Sequence, residues 1–232
     1  MPTVTRRKYT RRPARKYKKK SNTKVSAATR KYVRKVMPKV EMKQYWNHTN
    51  ETALSTLSQG YTTVGPLIGQ GTAAANRLGN IIHLHGLHIK GALNNNSGSE
   101  SFVRFMVLGY DTSLANPINY LFRNASLGTV TGPISVNGLD CMYFPVNKID
   151  FHVYHDQTLR LAGSAVGNAG NNTRMINKFI KFGGKRLEYK DTAAYPQWAY
   201  LTVFIAADAN DDTSSGTNVE LSILERVYYK DA

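Results

Sequence analysis

A chain of 232 residues with 41% hydrophobic side chains can bury one good core but hardly two full domains. Its formal charge is +16, and its single cysteine, Cys141, excludes an intrachain disulfide or a zinc site built on several thiolates. No apolar run approaches the roughly 18–20 residues that span a bilayer, and the basic N-terminus is read as lacking the apolar segment of a secretory signal.

The charge is unevenly placed. Residues 1–40 carry sixteen Lys or Arg and no acid, whereas residues 41–232 carry fifteen basic and fifteen acidic side chains. The expectation is a chain in two parts, a basic arm over 1–40 and a neutral body over 41–232. Arg6, Arg7, Lys8, Arg11, Arg12, Arg15, Lys16, Lys18, Lys19 and Lys20 place ten cations within fifteen residues, and Lys24 follows them. So little apolar surface among crowded like charges predicts disorder in the free arm. Its chemistry predicts binding to the phosphates of nucleic acid, by counterion release and without reading bases. Tyr9 and Tyr17, set among the cations, are placed to stack on exposed bases of a single strand. The same run has the composition of a nuclear-import signal.

Ser26 can cap a short helix over 26–37, because Val25, Ala28, Tyr32 and Val36 recur at three- and four-residue steps. Arg30, Lys31, Arg34 and Lys35 occupy the remaining surface and join the nucleic-acid-binding set; Pro38 ends the pattern.

After Pro38 the chain reads as β. Strands are predicted at Met42–Thr49, Tyr61–Leu67, Asn80–Lys90 with a bulge near Gly86, and Ser101–Tyr110. Further strands are predicted at Asp150–Leu161, Arg174–Phe182, Trp198–Ala206 and Asn218–Tyr229, the last pair separated by a polar loop at Asp208–Gly216. Phe102–Tyr110 is apolar on both faces. In Val219–Val227, Val219, Leu221, Ile223, Glu225 and Val227 share one face, and Glu220, Ser222, Leu224 and Arg226 share the other. Seven or eight strands with turn-rich spacers predict an all-β antiparallel sandwich. The long connection Asp111–Lys148 predicts a decorated end-loop of the sandwich, of the kind that commonly carries contacts.

Signs of catalysis are weak, and the chain is expected not to be an enzyme and to need no cofactor. Gly183-Gly184-Lys185-Arg186 reads as a turn rather than a phosphate loop, and Ala74 stands where a dinucleotide fingerprint needs its last glycine. His83 and His85 share a strand face, and a bulge at Gly86 would bring His88 round to it; surface or cross-strand roles are favoured over zinc there, with pH response at subunit contacts as a further use. His152 and His155 fall on opposite faces of a regular strand, with Asp156 beside them and no activated nucleophile. Cys141 is expected to be an inert small hydrophobe, the Asp208, Asp211 and Asp212 loop a solvated turn, and the Asn-x-Ser/Thr matches at Asn47, Asn50, Asn95, Asn124 and Asn171 chance ones.

The order of these features resembles the capsid proteins of small circular single-stranded DNA viruses that encode a replication initiator, the circovirus-like group. Arg77-Leu78-Gly79-Asn80-Ile81-Ile82, continuing to Gly86-Leu87-His88-Ile89-Lys90, resembles the family's "R-x-G-x-x-I" lead-in to a long strand. Val103-Arg104-Phe105-Met106-Val107-Leu108 is similar to its partner strand with an internal arginine. Tyr154-His155-Asp156-Gln157 with Leu159-Arg160-Leu161 resembles the mid-chain strand, and Ile180-Lys181-Phe182 with Leu187-Glu188-Tyr189 the next. The resemblance implies a single eight-stranded jelly roll of two four-stranded sheets, with sixty copies closing into a small T=1 icosahedral shell. It also implies a virion protein that enters the host nucleus through the import machinery, packages circular single-stranded DNA on its arm and meets a host receptor. Sixty arms would carry about 960 positive charges, half the phosphates of a genome of about 2,000 nucleotides. The alternative is a β-sandwich that binds nucleic acid or shuttles to the nucleus without assembling.

Overall fold

Side chains over Val219–Asp231 alternate between buried and half-buried, the period-two mark of a strand with one face on a core. The same patterning, with local departures, organises the rest of the body. The computed structural model describes residue 26 and residues 41–54, 61–124, 128–129, 139–163, 172–190, 195–208 and 219–232. Of the predicted 26–37 helix only Ser26 is among them, and most of the predicted 208–216 loop lies outside them.

The strands are β1 (Lys43–Ala53), β2 (Tyr61–Gly65), β3 (Ile81–Asn95), β4 (Ser101–Asp111), β5 (Arg123–Asn124), β6 (Gly128–Thr129), β7 (His152–Leu161), β8 (Thr173–Glu188), β9 (Trp198–Asp208) and β10 (Val219–Asp231). β5 and β6 pair with each other. The eight longer strands form two antiparallel sheets, one ordered β1-β10-β3-β8 and the other β2-β9-β4-β7. Pairing is nested. β4 pairs with β7, β3 with β8, β2 with β9 and β1 with β10, so each pair encloses the one before it in sequence. The described residues contain no helix long and apolar enough to cross a membrane.

The core lies between the two sheets. Leu87, Ile89 and Leu93 of β3 and Leu221, Ile223 and Val227 of β10 meet Val103, Phe105 and Val107 of β4 and Phe204 of β9. Phe105 and Phe204 stack with centroids 4.6 Å apart. Each such side chain contributes about 1.5–3 kcal/mol on burial. Gly91 sits tightly against β10: a Cβ there would collide with the Ser222 carbonyl oxygen and the Ile223 side chain.

A second cluster explains why β4 is apolar on both faces. Met106, Leu108 and Tyr110, with Leu201, Val203 and Ile205 of β9, are covered from outside by Leu121, Phe122, Cys141, Met142, Val146 and Phe151. The described parts of the 111–148 connection therefore lie across the outer face of the β2-β9-β4-β7 sheet and do not simply decorate an end. A 3-10 turn at Pro117–Tyr120 and one helical turn at Asp140–Tyr143 shape this cover.

Two further expectations are corrected by pairing. Gly183-Gly184-Lys185-Arg186 is not a turn between strands: β8 runs through it to Glu188, still paired to β3. The register jumps from Gly86↔Lys181 to Leu84↔Lys185, a bulge that needs left-handed backbone at Gly183 (φ 69°) and Gly184 (φ 80°), which glycine adopts without steric cost. In β7, Val107 pairs with His155 but Leu108 with Val153. That bulge places His152 and His155 on one face of the sheet, not on opposite faces.

Candidate nucleic-acid interface

The residues assigned to nucleic-acid binding from the sequence, running from Arg6 to Lys35, all lie outside the described residues. The body offers a separate surface. Cross-strand partners share a face, so register places Trp46 of β1, Arg226 of β10, His88 of β3 and Phe179 of β8 in one row across the β1-β10-β3-β8 sheet. All four point away from the core, because their neighbours Tyr45, Val227, Leu87 and Ile180 point into or against it. The flanking rows are Gln44, Tyr228, Gly86 and Lys181 on one side, and His48, Leu224, Lys90 and Asn177 on the other.

Local chemistry sets the shape of this face. The Arg226 guanidinium lies 3.7 Å over the Trp46 ring, yet Trp46 is still 49% exposed and Phe179 48%. Phe179 leans over Gly86, where a Cβ would come within 2.5 Å of its ring. It meets His88 edge-on at 6.0 Å and Tyr228 at 5.9 Å. His88 Nε2 and Asn177 Oδ1 are 2.7 Å apart, which fixes that imidazole against β8. Arg226 sits between the rings of this row, and Lys90 and Lys181 stand in the rows on either side of it. By register, the paired carboxylates of this face stand at its ends: Glu220 at one, and Glu188, 3.3 Å from Arg186, at the other. Such a surface presents flat apolar rings and positive charge together, the two things an unpaired nucleotide offers partners for.

His83 lies on the same face, paired with Lys230 and Arg186, and His85 is the residue displaced by the bulge. Burial, with the charges of Lys230 and His83, holds the His85 imidazole below its usual range. Among the described residues no three His, Cys, Asp or Glu side chains come together as metal ligands.

The other polar groups that stand out in the sequence are structural. Asp156 is engaged by Arg104, whose Nε and one terminal nitrogen donate to the two carboxylate oxygens at 2.8 and 2.6 Å. The remaining terminal nitrogen of Arg104 donates to the carbonyls of Cys141 and Phe144, both at 2.7 Å. The arginine thus bolts the outer cover to β4 and β7. His155 packs against Phe105, and burial lowers its pKa ahead of the charge on Lys178. Arg77, fully buried, donates to the carbonyls of Ile68 and Gly79 and lies 4.2 Å over the Tyr189 ring. It holds the turn before β3 rather than a ligand.

Glu225 is 2% exposed on the core side of β10. Thr63 donates to it from the opposite sheet, and Asn47 Nδ2 donates from β1 at 3.2 Å. Burial raises its pKa, while Thr202, Asn47 and Thr63 pull it back down. Asn47 is thus committed to the core, and the buried Asn95 donates to the Ser99 and Ala162 carbonyls, so neither side chain is free to act as a glycan acceptor.

Sequence reading missed the aromatic row altogether. One signal was present: Met175, Asn177, Phe179 and Lys181 alternate with Ile176, Ile180 and Phe182, a strand with large side chains on both faces. Comparison with known proteins finds no family model and no curated protein that matches the chain.

Proposed function

We propose that the chain is a self-assembling shell subunit that packages nucleic acid. The fold behind this reading is a single eight-stranded jelly roll, and the observation that carries it is the nested strand order, β1-β10-β3-β8 over β2-β9-β4-β7. A long hairpin folded over on itself yields that order, with strands from the two halves of the chain alternating in each sheet. Within that class, the proposed family is the capsid proteins of circovirus-like single-stranded DNA viruses, with sixty copies in a T=1 particle. Support comes from two of the resembling motifs having structural work to do, Arg77 in the turn before β3 and Arg104 within β4.

Division of charge supports the mechanism. Sixteen cations in residues 1–40 are placed to neutralise packaged single-stranded DNA and to act as the nuclear-import signal, while a body with fifteen charges of each sign can meet copies of itself without net repulsion. The test is expression of the full chain, followed by electron microscopy and sizing at low and high salt. Closed particles are expected; a monomer that persists across protein concentration and ionic strength sinks the reading. Deleting residues 1–40 should abolish nucleic-acid packaging while the sandwich still folds.

A further inference from the structure

We propose that the open face of the β1-β10-β3-β8 sheet is a second nucleic-acid site, a platform on which Trp46, Phe179 and Tyr228 stack the unpaired bases of a single strand. Lys90, Lys181 and Arg226 take the phosphates. This rests on the reading of the chain as a subunit that packages single-stranded DNA, and it moves part of the contact from the arm to the body.

Three features of the face select this occupant. The rings span the full width of the sheet, three strand spacings or about 14 Å from Trp46 to Phe179, room for two or three splayed bases. The three middle rows hold Arg226, Lys90 and Lys181 and no carboxylate, and the paired Glu220 and Glu188 stand at the ends, so the charge is complementary to a polyanion. A second copy of the same face would bring the same cations against these, which disfavours self-pairing. Among the described residues of this four-stranded face no element projects to enter a duplex groove, whereas stacking requires bases that are already unpaired. The site is therefore specific for single strands but tolerant of sequence, because every base has a flat face.

Tryptophan emission of the full chain reports on this directly, since Trp46 and Trp198 are its two tryptophans. Unassembled subunits are titrated with oligothymidylate and, separately, with inorganic polyphosphate, and binding is followed in parallel by the anisotropy of a labelled oligonucleotide and its displacement. Both polyanions should bind, polyphosphate through charge alone. Only oligothymidylate should quench, and the quench should vanish in Trp46→Phe, which leaves Trp198 in place. Phe179→Ala should shift the quench to at least about fivefold higher oligothymidylate, the low end of what one stacked base contributes. Each cation lost from the face, as in Lys90→Ala, should flatten the salt dependence by about 0.7 in log–log slope. Oligothymidylate that binds with unchanged Trp46 emission overturns the proposal, as does an equal quench by polyphosphate. The shell reading is scored separately, by micrographs of the same protein under assembling conditions. Closed particles without a Trp46 quench would remove the platform alone, and a quench without particles would remove the shell alone.

Discussion

The outer faces of the two sheets are finished in opposite ways. On the β2-β9-β4-β7 sheet, residues 112–124 and 139–151 supply Phe122, Cys141, Met142 and Phe151 as a cover, and Arg104 fastens it with two hydrogen bonds to its carbonyls and two to Asp156 of β7. On the β1-β10-β3-β8 sheet, Trp46 and Phe179 stand half-exposed among cations. An arginine is common to both, and the contrast between them is instructive. Arg104 is 5% exposed and spends its donors on a carboxylate and two carbonyls, so its charge is consumed by the fold. Arg226 rests on an indole and remains available to an outside anion. The same residue type is cement on one sheet and contact surface on the other.

Substitutions that separate these roles fall in order of size. Arg104→Leu leaves two carbonyls under the cover without their donor and frees the Asp156 carboxylate, and should cost about 2–4 kcal/mol in a denaturant titration. Gly91→Ala pushes a Cβ into the β10 backbone at Ser222 and should cost about 1–3 kcal/mol by the same measure. Glu225→Gln comes next, and its effect depends on pH. The folded carboxyl titrates above its ordinary value of 4.5, so its protonated form is the one the core favours. Below that ordinary value the glutamate carries no penalty; the penalty grows as pH rises through the raised folded value and is complete above it. The glutamine variant should therefore gain in melting temperature over the parent at neutral pH and lose that advantage near pH 4. Phe179→Ala should move stability by no more than about 0.5 kcal/mol, because its ring lies on the open face. A large loss there would mean that the open face is structural after all, and the contrast between the sheets would fail.

Much of this was legible along the chain. The two-sided apolar pattern of Phe102–Tyr110 foretold burial on both faces, and the strict alternation of Val219–Val227 foretold its core side, with Glu225 on it. What supplies the cover was not legible, because no local period tells a loop which sheet face it will cross. The bulges were equally hidden. A glycine pair followed by two cations looks the same in a turn and in a kinked strand, and only the continued pairing of Lys185 and Arg186 with β3 distinguishes them. In β7 one displaced residue moved His152 and His155 to a common face, which a parity count along a regular strand necessarily gets wrong. The platform joins residues 46, 88, 179 and 226, and it exists only through register among four strands that the sequence lists far apart.

Nesting also dictates an order of events during synthesis. β3 and β8 can pair once residue 188 has left the ribosome, but Trp46 has no Arg226 to lie against until residues 219–231 are made. Pairing of such high sequence separation is slow to form, because loop closure comes before the contacts that reward it. A nascent or truncated chain therefore carries neither a finished open face nor a guarded β3 edge, and the aromatic row across that sheet is assembled only once β10 is made.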